Sequence, residues 1–261
     1  MPPTPLNTVR RGTGRPLVLV HGLGSSWATW LPIFDRLAAT RDVIAFDLPG
    51  FGASEPLAGE VTVATLTDAV ERFLRDEGLE EADVVGSSMG GRLVLEMARR
   101  GHTGSVVALD PGGFWSSGQR AAFGATVGAS IRLIRLLDTM LPALTHSRIA
   151  RSALLFQFSD HPWALDPGLV LTELRSFNRA VSIDEALDAL VQGPTQPGSL
   201  ATKGTVAIGW GRQDRVTLPS QASVAMQRFP NARFRGFQSC GHFPHWDQPA
   251  QTAAFILSAT A

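Results

Sequence analysis

The chain has no tyrosine, a single cysteine and a single lysine, and its charges cancel, with 23 Lys+Arg against 23 Asp+Glu in 261 residues. Each shortage excludes something. Without tyrosine, no chemistry that needs a phenol is open to it. The lone Cys240 closes no intrachain disulfide, and no cysteine cluster exists to hold zinc or iron–sulfur. Arg10-Arg11 and Arg99-Arg100 are isolated basic pairs in a chain of zero net charge. Neither nucleic acid nor an anionic membrane is therefore an expected partner. No apolar run reaches the ~18 residues of a membrane-spanning helix. The opening Met1-Pro-Pro-Thr-Pro-Leu-Asn7 lacks a charged segment leading into an apolar one. No secretory leader is expected from it, and the expected location is cytoplasmic. Composition is silent on oligomeric state.

What is present is alternation. Short apolar runs at Pro16–Val20, Asp42–Phe46, Asp83–Val85, Ser105–Leu109, Thr205–Trp210 and Ala232–Phe237 read as strands. Between them, apolar residues recur at helical spacing: Trp30 to Ala38, Leu66 to Leu74, Arg92 to Arg100, Ala222 to Phe229 and Pro249 to Ser258. Thr65 and Asp68 are spaced as a capping box. Strands alternating with helices imply an α/β fold with a mostly parallel sheet and helices on both faces. The alternation lapses after Asp110-Pro-Gly-Gly113 and resumes near Thr205. The intervening stretch carries helical stripes at Leu133–Leu141, Val170–Arg179 and Ile183–Val191. It reads as a helical cap, residues 114–200, inserted in a core made of residues 1–113 and 201–261.

The chemistry gathers around Asp83-Val-Val-Gly-Ser-Ser-Met-Gly-Gly91. A β-branched run breaks at Gly86-Ser-Ser88-Met-Gly90 and passes into a helix, the context in which Gly-x-Ser-x-Gly forms a nucleophile elbow. A sharp turn there pushes the Ser88 hydroxyl out of the sheet, and its place at a helix N-terminus favours developing negative charge. A serine hydroxyl needs an adjacent base held by a third group. Asp214 in Gly211-Arg-Gln-Asp214 and His242 in Gly241-His242 both follow predicted strands, as do His21, Asp47 and Asp110. Residues just beyond the carboxyl ends of parallel strands converge on one rim. Asp110 rivals Asp214 as the carboxylate. His245, three residues after His242, has no third ligand motif, so no metal site is expected. Gly22-Leu-Gly24 and Gly50-Phe-Gly52 lack the third glycine of a dinucleotide loop, and no cofactor is expected.

Taken in order, His21-Gly22, Asp47-Leu-Pro-Gly-Phe-Gly-Ala-Ser54, Gly86-Ser-Ser-Met-Gly-Gly91, Trp210-Gly-Arg-Gln-Asp214 and Gly241-His242 resemble the α/β-hydrolase superfamily over nearly the whole chain. The resemblance implies an eight-stranded-type sheet. It implies Ser88 as nucleophile, His242 as base and then acid, and Asp214 as the orienting carboxylate. It also implies an oxyanion hole made by the backbone N–H groups of Leu23 and Met89. Relatives that attack with aspartate, the haloalkane dehalogenases and epoxide hydrolases, are excluded by serine at 88. The expected function is a carboxylesterase acting on apolar, small-to-medium substrates. Carbon–carbon hydrolysis of ring-cleavage diketones, perhydrolysis or other acyl transfer, and a non-catalytic ligand receptor stay open as alternatives.

Overall fold

Alternate residues along each strand feed two apolar clusters, one on either face of a single sheet. Val18, Val20, Ile44, Phe46, Val84 and Val106 face one cluster, and Leu17, Leu19, Val43, Ala45, Val85 and Val107 face the other. Side chains alternate across a pleated strand, so runs this apolar form only where both faces are covered. These contacts come from a computed structural model, which describes residues 5–261. The part of the leader reading that rests on residues 1–4 lies outside the described residues.

The strands are β1 (Thr8–Arg11), β2 (Pro16–Val20), β3 (Asp42–Phe46), β4 (Asp83–Ser87), β5 (Val106–Leu109), β6 (Val206–Gly211) and β7 (Arg233–Phe237). Their order is β1-β3-β2-β4-β5-β6-β7, with β1 antiparallel to β3 and every other pairing parallel. The sheet therefore has seven strands among the described residues, not eight. The edge strand β1 was not legible as a strand, because Thr-Val-Arg-Arg is short and mostly polar.

The helices are α1 (Leu31–Ala38), α2 (Val63–Asp76), α3 (Met89–Arg100), α4 (Ser117–Leu136), α5 (Leu141–His146), α6 (Arg148–Leu155), α7 (Pro167–Arg179), α8 (Ile183–Gln192), α9 (Ser220–Arg228), α10 (Pro244–Asp247) and α11 (Pro249–Ala259). Residues of α1 and α11 fill one face cluster; those of α2 and α3 fill the other. Between β5 and β6 the described chain has helices and no strand. Two local readings need correction. The capping box of α2 lies one turn earlier than expected. Thr62 accepts from the Thr65 N–H at 3.0 Å, and its own N–H donates to Thr65 Oγ1 at 2.9 Å. Asp68 instead accepts from Arg100 Nη1 at 2.6 Å. The stripe at Leu133–Leu141 is not one helix. It spans the end of α4, a short 3-10 turn and the start of α5, and Leu133, Leu136 and Met140 are exposed. No helix among the described residues is long and apolar enough to cross a membrane.

Topology places the site. The chain runs from β2 outward to β3, then returns to lay β4 on the other side of β2. That reversal leaves a crevice at the carboxyl ends of β2 and β4, where open α/β sheets bind ligands. At the opposite end of β4, the Asp83 carboxylate is fully buried. It accepts from Arg41 Nη2 at 2.5 Å, Arg15 Nη2 at 2.8 Å and the Ser105 N–H at 2.8 Å. Removing one partner from a buried ion pair strands the other charge, at about 3–5 kcal/mol. Asp83→Ala should therefore lower the urea midpoint by that equivalent while the folded fraction keeps its specific activity. A melt unchanged from wild type would show that Arg41 finds solvent without Asp83.

Candidate active site

Ser88 takes φ 55° and ψ −115°, a backbone conformation costly for any residue with a side chain. Its surroundings hold it there. The Ser88 N–H donates to Leu109 C=O at 2.9 Å, and Ser88 C=O accepts from Arg92 N–H at 3.1 Å. The turn closes so tightly that its flanking residues must lack Cβ. A Cβ on Gly86 would lie 2.1 Å from Gly90 O, and one on Gly90 would lie 2.2 Å from Val20 O. Glycine at these positions follows from close backbone approach.

His242 sits where the chain leaves β7, and Asp214 where it leaves β6. The pairing of these strands, with Gly211 beside Phe237, brings the two loops together. His242 Nε2 is 2.8 Å from Ser88 Oγ, and His242 Nδ1 is 2.9 Å from Asp214 Oδ2. Since the carboxylate is the acceptor, Nδ1 carries the proton, and Nε2 presents its lone pair to the serine hydroxyl. Asp214 is held in turn by Val216 N–H at 2.7 Å, Thr217 N–H at 3.1 Å and Thr217 Oγ1–H at 2.7 Å. Thr217 escaped the sequence reading, although its position three residues after an acidic side chain is a local side-chain-to-backbone spacing.

Of the two candidate acids, Asp214 touches His242. Asp110 is buried beside the pair, with φ 46°, and its Oδ1 accepts from Gly211 N–H at 2.8 Å. Its Oδ2 has no hydrogen-bond partner. Burial and then the Asp214 charge push the Asp110 carboxyl well above the usual carboxylate range.

The loop after β2 lies against the elbow because β2 pairs with β4, Val20 opposite Gly86. A Cβ on Gly22 would come within 3.1 Å of Ser88 Cβ. His21 is buried, with Nε2 accepting from Leu48 N–H at 2.9 Å and Nδ1 donating to Gly22 C=O at 2.8 Å. Burial lowers its pKa, and both ring nitrogens are used as a neutral imidazole uses them. Gly22 C=O also accepts from Ser25 N–H at 3.3 Å. In a planar trans peptide the N–H opposes the C=O, so turning Gly22 C=O toward His21 turns Leu23 N–H the other way. Met89 is the first residue of α3, whose opening N–H groups have no intrahelical acceptor. Among the described residues neither Leu23 N–H nor Met89 N–H donates to a backbone carbonyl.

The remaining candidates are structural in their contacts. Asp47 accepts from Trp27 N–H, Ala53 N–H and Asn7 Nδ2, and Ser54 Oγ donates to Asp47 C=O. His245 shares no hydrogen-bond partner with His242. It is buried against Trp30, its Nε2 meets Thr29 Oγ1 at 3.1 Å, and burial pushes its pKa down to about 3. The Cys240 thiol is buried and pushed upward.

Residues 17–255 match the alpha/beta hydrolase family, and the chain belongs to it. The dihydrolipoyllysine-residue acetyltransferase component of an acetoin cleaving system from Cupriavidus necator is 33% identical over 92% of this chain. This chain spans 62% of that protein's length. A 2-hydroxymuconate semialdehyde hydrolase from Pseudomonas putida is 31% identical over 94% of this chain and 87% of its own. A thermophilic esterase from Thermogutta terrifontis superposes with a TM-score of 0.73 at 19% identity, over 98% of this chain and 94% of that one, a likeness of fold.

Proposed function

We propose that this chain is a serine hydrolase that cleaves carboxylic esters of apolar, small-to-medium acids through an acyl-enzyme on Ser88. The observation that carries the reading is the continuous relay from Ser88 Oγ through His242 to Asp214, at 2.8 and 2.9 Å. His242 Nε2 takes the hydroxyl proton as Oγ attacks the ester carbonyl, and Asp214 stabilises the imidazolium. The oxyanion forms against the N–H groups of Leu23 and Met89. His242 then gives its proton to the leaving alcohol, and water repeats the sequence on the acyl-enzyme. Each oxyanion donor is worth about 10²–10³ in rate. No step needs a metal or cofactor. Residues 114–200 act as the cap over this rim, and their apolar lining favours uncharged acyl groups.

Carbon–carbon hydrolysis is the second reading, favoured by the 31% identity to the 2-hydroxymuconate semialdehyde hydrolase. A direct competition separates the two. Wild-type protein is assayed on p-nitrophenyl esters of increasing chain length and on a ring-fission dienone, at equal enzyme concentration. Ester turnover with a pre-steady-state burst is the expected result, with charged acyl groups turned over more slowly. Dienone cleavage exceeding every ester would promote the second reading, and no turnover of either would remove both.

A further inference from the structure

The seam between the inserted helices and the core holds one carboxyl that the proposed reaction does not use. Glu173, on α7, is 2% exposed and lines a small cavity together with Phe158, Val170, Phe177, Phe243 and Trp246. The cavity is about 10 Å³, and Glu173 is the one titratable residue among those lining it. It adjoins the candidate site on two sides. Phe243 follows His242 directly, and Phe158 C=O accepts from His242 N–H at 2.9 Å. Glu173 Oε2 accepts from Ser25 Oγ at 2.6 Å, and Ser25 belongs to the loop that presents Leu23 N–H.

The other oxygen, Glu173 Oε1, is buried with no hydrogen-bond partner. An unsatisfied buried polar atom costs about 1–3 kcal/mol, and an apolar residue of similar size would remove that cost. Folding alone does not account for it. Burial, opposed by the Ser25 and Thr29 hydroxyls and reinforced by Asp47, raises the Glu173 carboxyl to about 8. It is therefore neutral at pH 7. Oε2 is engaged by Ser25, which leaves Oε1 as the free position of the neutral carboxyl, with no partner at hydrogen-bond distance.

We propose that Glu173 is a specificity-determining residue whose Oε1–H donates to a neutral oxygen, an ether or ketone, carried within the apolar acyl part of the ester. This rests on the serine-esterase reading above. At about 10 Å³ the cavity would admit an acyl chain only if the seam parted, and Glu173 is the lining side chain with an unpaired polar atom to offer it. An all-carbon chain leaves Oε1 unsatisfied; a chain with an acceptor at the right depth satisfies it.

The test compares p-nitrophenyl hexanoate with isosteres in which an ether oxygen replaces the third, fourth or fifth chain atom. In the wild type, one oxygen position should exceed the others by about tenfold in kcat/KM relative to hexanoate, the worth of one good hydrogen bond. Glu173→Met, which keeps length and removes the donor, should erase that preference. Glu173→Gln, which keeps an N–H donor, should retain most of it. Comparing variants on the same substrates cancels the intrinsic reactivity of each ester. A flat series in the wild type, or a preference that survives in Glu173→Met, overturns this proposal while hexanoate turnover leaves the esterase reading standing. If the wild type turns over no ester at all, the esterase reading fails and this proposal fails with it.

Discussion

Ser88→Ala should lower kcat for p-nitrophenyl esters by about 10⁶-fold, the scale on which a serine nucleophile acts when its base and oxyanion donors are intact. On the proposed mechanism the substitution removes the atom that forms the acyl bond and leaves the rest of the site in place. The strained turn should persist, because it is enforced by Gly86 and Gly90 packing against backbone oxygens and by the Ser88 N–H bond to Leu109. Thermal stability should thus stay close to that of wild type. Two measurements check the result together: steady-state turnover, and covalent labelling by a fluorophosphonate, which should vanish with the hydroxyl. A loss below about 10²-fold would point elsewhere. In that case His242 would be activating water directly against the ester, and no acyl-enzyme would form on Ser88.

The candidate site was more legible in the sequence than the fold's margins were, and the reason is physical. Gly86, Ser88 and Gly90 stand out because a turn with 2.1–2.2 Å Cβ conflicts tolerates glycine alone at two positions, which leaves a mark in one dimension. Asp214 and His242 were marked by their place after apolar strand runs. Strand position alone did not separate Asp110 from Asp214, since both end strands; the family motif favoured Asp214, and it is Asp214 that reaches Nδ1 of His242. Thr217 and Ser25 hold their partners through hydroxyls whose direction no spacing states. Glu173 left a fainter signal: an acidic residue three after Val170 and four before Phe177, on the stripe that α7 buries. A charged residue on such a stripe is worth weighing even when no motif surrounds it. The margins failed for the opposite reason. Thr8–Arg11 becomes a strand through its backbone pairing with β3, which its mostly polar side chains do not advertise. The helices around Leu133–Leu141 carry exposed apolar residues, so their periodicity does not report which face is inward.

His242→Ala is the second substitution with an effect near 10⁶-fold, and it separates the base from the nucleophile. Ser88 keeps its hydroxyl, and the Leu23 and Met89 N–H groups keep their geometry, since His21 and the α3 N-terminus set them independently of His242. On the proposed mechanism, what is lost is the acceptor for the Oγ proton and the donor to the leaving alcohol. The alanine variant should therefore still react with a fluorophosphonate, but far more slowly than wild type, and should retain a residual rate over water of about 10³–10⁴ from the oxyanion donors and binding alone. Combining Ser88→Ala with His242→Ala should cost little more than either change, because residues that act as one unit are not additive. The double-mutant cycle is the decisive comparison. Additive losses, with the double variant about 10¹²-fold below wild type or lost in background, would mean that the two residues act in separate steps. Losses that coincide would mean that the 2.8 Å contact between Nε2 and Oγ is the one through which the proton leaves the serine.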